Sequence, residues 1–238
     1  MTGADGDTPN SYSEDSNGQS AFPRLLWHGD GPHCLGRPRA AQTHLAAVAT
    51  REINPHTYYD SERYLFEEVH PRFQREGSID AFDFFSIVIW KANRVKSLIA
   101  EKMRSVSQKS DLNEICADLT RSISEAKDDE ARIKILVSDW RFPLPMASAV
   151  LTVLYPDRFT VYDYRVAGQV GGDSKLGSKT NFESISSGYN GFRDQVSKTG
   201  IGVTLREKDR YLFGKSKMED LIRDIARGIP KKQKKEPK

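Results

Sequence analysis

The run Met146-Ala-Ser-Ala-Val-Leu-Thr-Val-Leu154 is apolar on nearly every side and is bracketed by Pro143 and Pro145 before it and Pro156 after it. A segment of this length with no polar face must be buried all round. The prolines set its ends, because proline is tolerated in a first helical turn and stops a helix beyond its last. Downstream come Phe159-Thr-Val-Tyr162, locally extended, and then one acid, Asp163. The segment predicts a tight turn, a central helix, an extended linker and a carboxylate opening the next helix.

The rest of the chain must then supply the walls around that helix, and its periodicity is helical. Asp60 or Ser61 can cap a helix with Tyr64, Leu65 and Val69 on one face, continued by Phe73 and stopped at Gly77. Asp80 can cap residues 81–90, a run that suits a buried helix or a buried strand. Its continuation through Val95, Leu98 and Ile99 favours one long or kinked helix. Asp111 opens a helix carrying Leu112, Ile115, Cys116, Leu119 and Ile123, and Asp128 or Asp129 opens another that ends near Trp140. Residues 182–196, 205–213 and 218–226 are further helix candidates, with Gly171-Gly172 and Gly228 as stops. Period-2 alternation is nowhere sustained. The expected fold is all-α, with roughly eight to ten helices and no internal repeat.

Composition bounds how much of the 238 residues can fold. The apolar fraction of 37% and mean hydropathy of −0.61 are low, so part of the length is expected to be unstructured. Residues 1–20 hold four acids and no base, and cannot bury enough apolar area to offset their ordering entropy. Residues 21–56 are broken by Pro23, Pro32 and Pro38. The expected organisation is an extension over 1–56, a helical domain over 57–228 and a basic tail over 229–238 with five lysines. That tail reads as a solvated terminus or as a weak, salt-dependent phosphate contact.

The net charge of +3 does not by itself argue for nucleic acid, although the acidic head leaves the remainder near +7. Cys34 and Cys116 form no Cys-x-x-Cys pattern, which excludes a cysteine-built zinc ribbon or iron–sulfur framework and suits a reducing compartment. No apolar run reaches membrane-spanning length and no signal pattern opens the chain. A cytoplasmic protein, nucleoid-associated if bacterial, is expected. The five histidines lack metal-ligand spacing, and no P-loop, Rossmann fingerprint or nucleophile elbow occurs.

Residues 139–170 resemble the core of the helix-hairpin-helix–GPD superfamily of DNA glycosylases. That family places a hairpin before a helix written Ala-x-x-[Val/Ile]-Leu, then an extended segment ending in an Asp that begins a helix. Ala147-Ser-Ala-Val-Leu151 matches the helix, Asp163 lies 12 residues past Leu151 as in the family, and Tyr164-Arg-Val166 matches the entry to the next helix. The resemblance implies an all-α helix-hairpin-helix domain that acts on duplex DNA as a monomer, without metal or organic cofactor, with Asp163 as the catalytic acid. Two departures stand out. The family's hairpin is glycine-rich, whereas Asp139-Trp-Arg-Phe-Pro-Leu-Pro145 has no glycine. Bifunctional members carry a nucleophilic lysine where Pro145 stands, and proline forms no Schiff base. The pattern implied is monofunctional.

Cleaving an N-glycosidic bond builds positive charge on the sugar, and a fixed carboxylate stabilises it and orients water. At a helix N-terminus a carboxylate also accepts backbone N–H bonds and meets the positive dipole end. The same geometry describes an ordinary cap, so Asp163 has two readings. Trp90, Lys91, Asn93, Tyr162 and Tyr164 are base-pocket candidates, and each aromatic has a core reading beside it; Lys91 and Arg94 read equally as solvated cations at a helix end. Arg94, Arg141, Phe142, Pro143, Leu144 and Arg165 are DNA-contact candidates, with Arg141 a substitute for the missing backbone donors. Basic residues over 206–217 offer a further face, which Glu207 and Asp209 dilute. The rival readings are a non-catalytic helix-hairpin-helix module and an unrelated helical interaction domain.

Overall fold

The computed structural model describes residues 53–229, which all belong to the second of two compact units, Ala47–Lys238. The extension over 1–52, including Cys34, and the tail beyond 229 lie outside the described residues. Among the described residues there is no strand. The described residues form ten α-helices: α1 (Pro55–Tyr59), α2 (61–76), α3 (Ala81–Ala92), α4 (Lys96–Ser107), α5 (Leu112–Glu125), α6 (129–139), α7 (Leu144–Leu154), α8 (Tyr164–Gln169), α9 (Phe182–Ser197) and α10 (Leu205–Ala226). Among the described residues no helix is long and apolar enough to cross a membrane.

The helix starts follow from acids. Asp80, Asp111 and Asp128 each accept a backbone N–H of the first turn they open, which satisfies donors that have no partner inside the helix. Gly77 ends α2 at φ 69°, its N–H bonded to the Phe73 carbonyl at 2.8 Å, a left-handed stop that glycine adopts without a Cβ clash. Helices α2 and α6 each contain a π turn, Leu65–Val69 and Ile135–Asp139. In α2 the π turn lies just before Pro71, which removes one helical N–H and crowds the preceding turn, and a widened turn accommodates that.

Two expectations needed adjusting. The run over 81–100 is helical but broken: Ala92 leaves the helical region (φ −164°, ψ 82°), a 3-10 turn spans Asn93–Val95, and α4 restarts at Lys96. The two helices expected over 205–213 and 218–226 are one, of 22 residues. Gly214 does not interrupt it, because a single interior glycine costs only about 1 kcal/mol and a reciprocal Thr204–Glu207 capping box starts the helix firmly.

Helix α7 is the centre. Leu144 and all of Met146 through Leu154 are buried, and the core around them includes Phe84 and Ile87 of α3, Leu119 and Ile123 of α5, and Tyr189 and Phe192 of α9. The extended segment after α7 is buried as well. With no neighbouring strand, its polar groups are met by side chains: Ser148 accepts the Tyr162 N–H at 2.9 Å, and the Tyr189 hydroxyl donates to the Thr160 carbonyl at 2.7 Å. Those two anchors fix the linker against α7 and α9, and so fix where Asp163 emerges.

Candidate active site

Asp163 is the N-cap of α8, with extended backbone (φ −137°, ψ 137°). Its Oδ1 accepts the Arg165 N–H at 3.0 Å, and its Oδ2 accepts from Lys91 Nζ at 3.1 Å. Lys91 sits in the last turn of α3, 72 residues away in sequence. Both partners are largely buried, with 16% and 19% of their side chains exposed.

The pair lines a cavity of about 320 Å³ shared with Trp90, Val161, Glu62, Arg206, Asp209, Arg210, Phe213 and Gly214. That volume lies at the lower end of the range for small-ligand sites, and its mixture of an apolar wall with a few convergent polar groups is typical of them. Trp90 stands edge-on to Phe66 at 6.2 Å between ring centroids. The Arg206 guanidinium lies 5.0 Å from the Trp90 ring and 5.5 Å from Phe66. Arg206 also bonds Glu62 Oε1 at 2.9 Å and the carboxylate of Asp209, and Arg210 reaches Glu62 at 3.3 Å. Three cations and three carboxylates therefore meet in one cavity. Asp209 is the most secluded, 3% exposed, and burial pushes its carboxyl up to about 6, against the opposing pull of Arg206 and Lys91.

Of the residues expected in a base pocket, Trp90 and Lys91 come together with Asp163, and the others do not. Tyr162 is 1% exposed, stacks edge-on to Phe192 and donates its hydroxyl to the Asp173 carbonyl at 2.7 Å. It is a core anchor whose hydroxyl burial pushes upward in pKa. Tyr164 points to solvent under the Arg165 guanidinium. Asn93 is exposed in the 3-10 turn and accepts from Lys96 Nζ at 3.2 Å. Arg206, Asp209 and Glu62 were not expected there. For Asp209 the sequence does carry a signal: with Leu212 and Ser216 it falls on the buried stripe of α10, and an acid on a core stripe is far more informative than one on a solvated face.

The hairpin before α7 separates similarly. Phe142 and Leu144 are buried, which corrects the expectation that their side chains meet DNA: they anchor the turn to the core, with Phe142 against Phe84 at 6.2 Å. Arg141 and Pro143 face outward. Arg141 takes φ 56°, a left-handed conformation that glycine favours, and Lys102 Nζ donates to its carbonyl at 2.9 Å. The hairpin thus keeps a glycine-type backbone without glycine. A second cavity, about 580 Å³, opens beside it between Lys102, Arg141, Ser178, Lys179 and Thr180. Of the other DNA-contact candidates, Arg94 is exposed in the turn after α3, and Arg165 is held by Asp220 of α10. No group of metal-ligating side chains occurs among the described residues. No family model, curated protein or solved structure matches the chain.

Proposed function

We propose that the chain is a DNA glycosylase that hydrolyses the N-glycosidic bond of a damaged or modified base in duplex DNA and leaves an abasic site. One observation carries the reading: the acid at the family interval, Asp163, opens into a cavity that has an aromatic wall and a paired lysine. An enzyme that acts on a base must take it out of the stack into such a pocket. Trp90 is the stacking surface. Asp163 faces the sugar and offsets the positive charge that grows at C1′ as the base leaves, and it orients the water that replaces it. With Pro145 in place of the family's lysine, the reaction is hydrolysis without strand cleavage. Repair of damaged bases and defence against phage DNA with modified bases are both uses for this chemistry.

The cationic hairpin supplies the phosphate contact that positions the duplex. It equally supports the alternative, a non-catalytic helix-hairpin-helix module in which Asp163 only caps α8. The deciding experiment follows abasic-site formation in duplexes bearing different modified bases, with wild type and Asp163→Asn. The proposal expects release by the wild type alone. Binding that weakens with salt but never yields an abasic site assigns the chain to the non-catalytic module.

A further inference from the structure

Two aspartates line the cavity beside Trp90, and their surroundings differ. Asp163 has both oxygens engaged, one by the Arg165 N–H and one by Lys91. Asp209 has Oδ2 held by Arg206, and among the described residues no donor reaches its Oδ1. Asp209 is also the more deeply buried of the two. A secluded carboxyl with one oxygen free to face the cavity can carry a proton there. A carboxylate with both oxygens filled by donors is built to stay charged.

We infer that Asp209 is the general acid of the site, protonating the base as it departs, and that the substrate is therefore an uncharged base that needs a proton to leave. The inference rests on the glycosylase reading and adds to it. In the step, the C1′–N bond breaks and its electron pair goes to the base. The Asp209 carboxyl passes its proton to an acceptor atom of that base and becomes a carboxylate. The sugar cation left behind faces Asp163, water adds to C1′, and the proton released goes to a carboxylate or to solvent. An alkylated base that already bears a positive charge would need no such proton, and Asp209 would be idle with it.

The groups facing Asp209 come from every wall. Arg206 and Arg210 lie on its own helix, Glu62 on α2, Lys91 on α3, Asp163 at the start of α8, and Tyr189 on α9. The cations favour its charged form and the acids oppose it. Burial is the largest influence and raises the carboxyl to about 6, so roughly one molecule in ten carries the proton at pH 7 and most do below pH 6. A general acid in this range contributes typically about 10²–10⁴-fold.

The test measures base release from pH 5 to 9 in duplexes carrying uracil, hypoxanthine, 8-oxoguanine or 7-methylguanine. Wild type is expected to release a neutral base at a rate that falls about tenfold per pH unit above about pH 6, and Asp209→Asn to be slower by about 10²-fold and flat with pH. Asp209→Glu should restore the pH limb. If the Asn variant does not fold, the wild-type pH limb and the Glu variant still decide. Unchanged rate and pH profile in Asp209→Asn, no pH limb in wild type, or release of 7-methylguanine alone would each overturn the acid role while leaving the glycosylase reading standing. Release of no base from any duplex would overturn both.

Discussion

At the hairpin end of segment 141–163 the cavity wall carries Lys102, Arg141 and Lys179 and no acid among the described residues; only behind it does Lys179 reach Asp173, at 2.8 Å. At the acid end three cations face three carboxylates across a smaller cavity. The one helix α7 joins these two environments. A cationic wall suits a polyanion whose charge repeats along its length, and phosphate contacts of this kind position a duplex without reading it. Balanced charges around a secluded carboxyl suit chemistry in which charge appears only transiently. On the glycosylase reading binding belongs to one end and catalysis to the other, and that division can be broken by variants that should move one measurement and leave the other still.

Asp163→Asn is the largest expected effect. Asparagine caps about as well as aspartate, so the Arg165 N–H keeps its partner, but the largely buried Lys91 loses its counter-charge, and stability should fall by roughly 3 kcal/mol. Base release should fall by about 10³-fold or more, because the charge opposite the sugar is gone, while DNA affinity stays within a few-fold. A parallel loss of affinity and rate, measured by binding titration and single-turnover release, would erase the division between the two ends.

How much of this was legible follows from distance along the chain. The caps at Asp80, Asp111, Asp128 and Asp163 were readable because a cap and its helix are neighbours in sequence. The helix–linker–acid segment was readable for the same reason, and so was Trp90-Lys91, whose place at the end of a buried helix is local. Glu62, Arg206 and Asp209 reach the cavity from α2 and α10, and no periodicity links them to Asp163. Ser148 was hidden inside the apolar helix pattern; its bond to the Tyr162 N–H emerges only once the linker folds back. Tyr162 and Phe142 went the other way, because aromatic type alone does not separate a pocket wall from a core.

Asp209→Asn gives the next effect, on stability. The folded carboxyl is raised to about 6 from an ordinary value near 3.8. A raised acid binds more protons in the folded state than in the unfolded one across that window, so its contribution to stability falls as pH climbs from about 4 to 6 and stays low above it. A shift of this size corresponds to on the order of 3 kcal/mol. Asparagine resembles the protonated form. The variant should match wild type at pH 4 and exceed it by up to about 3 kcal/mol at pH 8, read from urea midpoints. Loss of stability at pH 8 would instead make the charge on Asp209 a structural partner of Arg206.

Arg141→Gly probes the hairpin end. It removes one outward cation and relieves a left-handed residue, which should add about 1 kcal/mol of stability. Duplex affinity should drop roughly tenfold near 0.1 M salt, and the slope of log affinity against log salt should shrink by about 0.9. Base release at saturating DNA should be unchanged. A fall in the saturated rate would show that the hairpin also shapes the acid end.

Gly214→Ala is the smallest and most local probe. Gly214 lines the acid-end cavity from the middle of α10, and a Cβ there would meet nothing within 4 Å. On helix propensity alone alanine should stabilise α10 by up to about 1 kcal/mol. The added methyl projects into the space beside Trp90 that a flipped base would occupy, so KM for base release should rise a few-fold while kcat holds. The same variant should bind undamaged duplex as tightly as wild type, because the hairpin is untouched. A stabilised helix with no change in KM would place the base elsewhere, and would detach Trp90 from recognition while leaving Asp163 in its role.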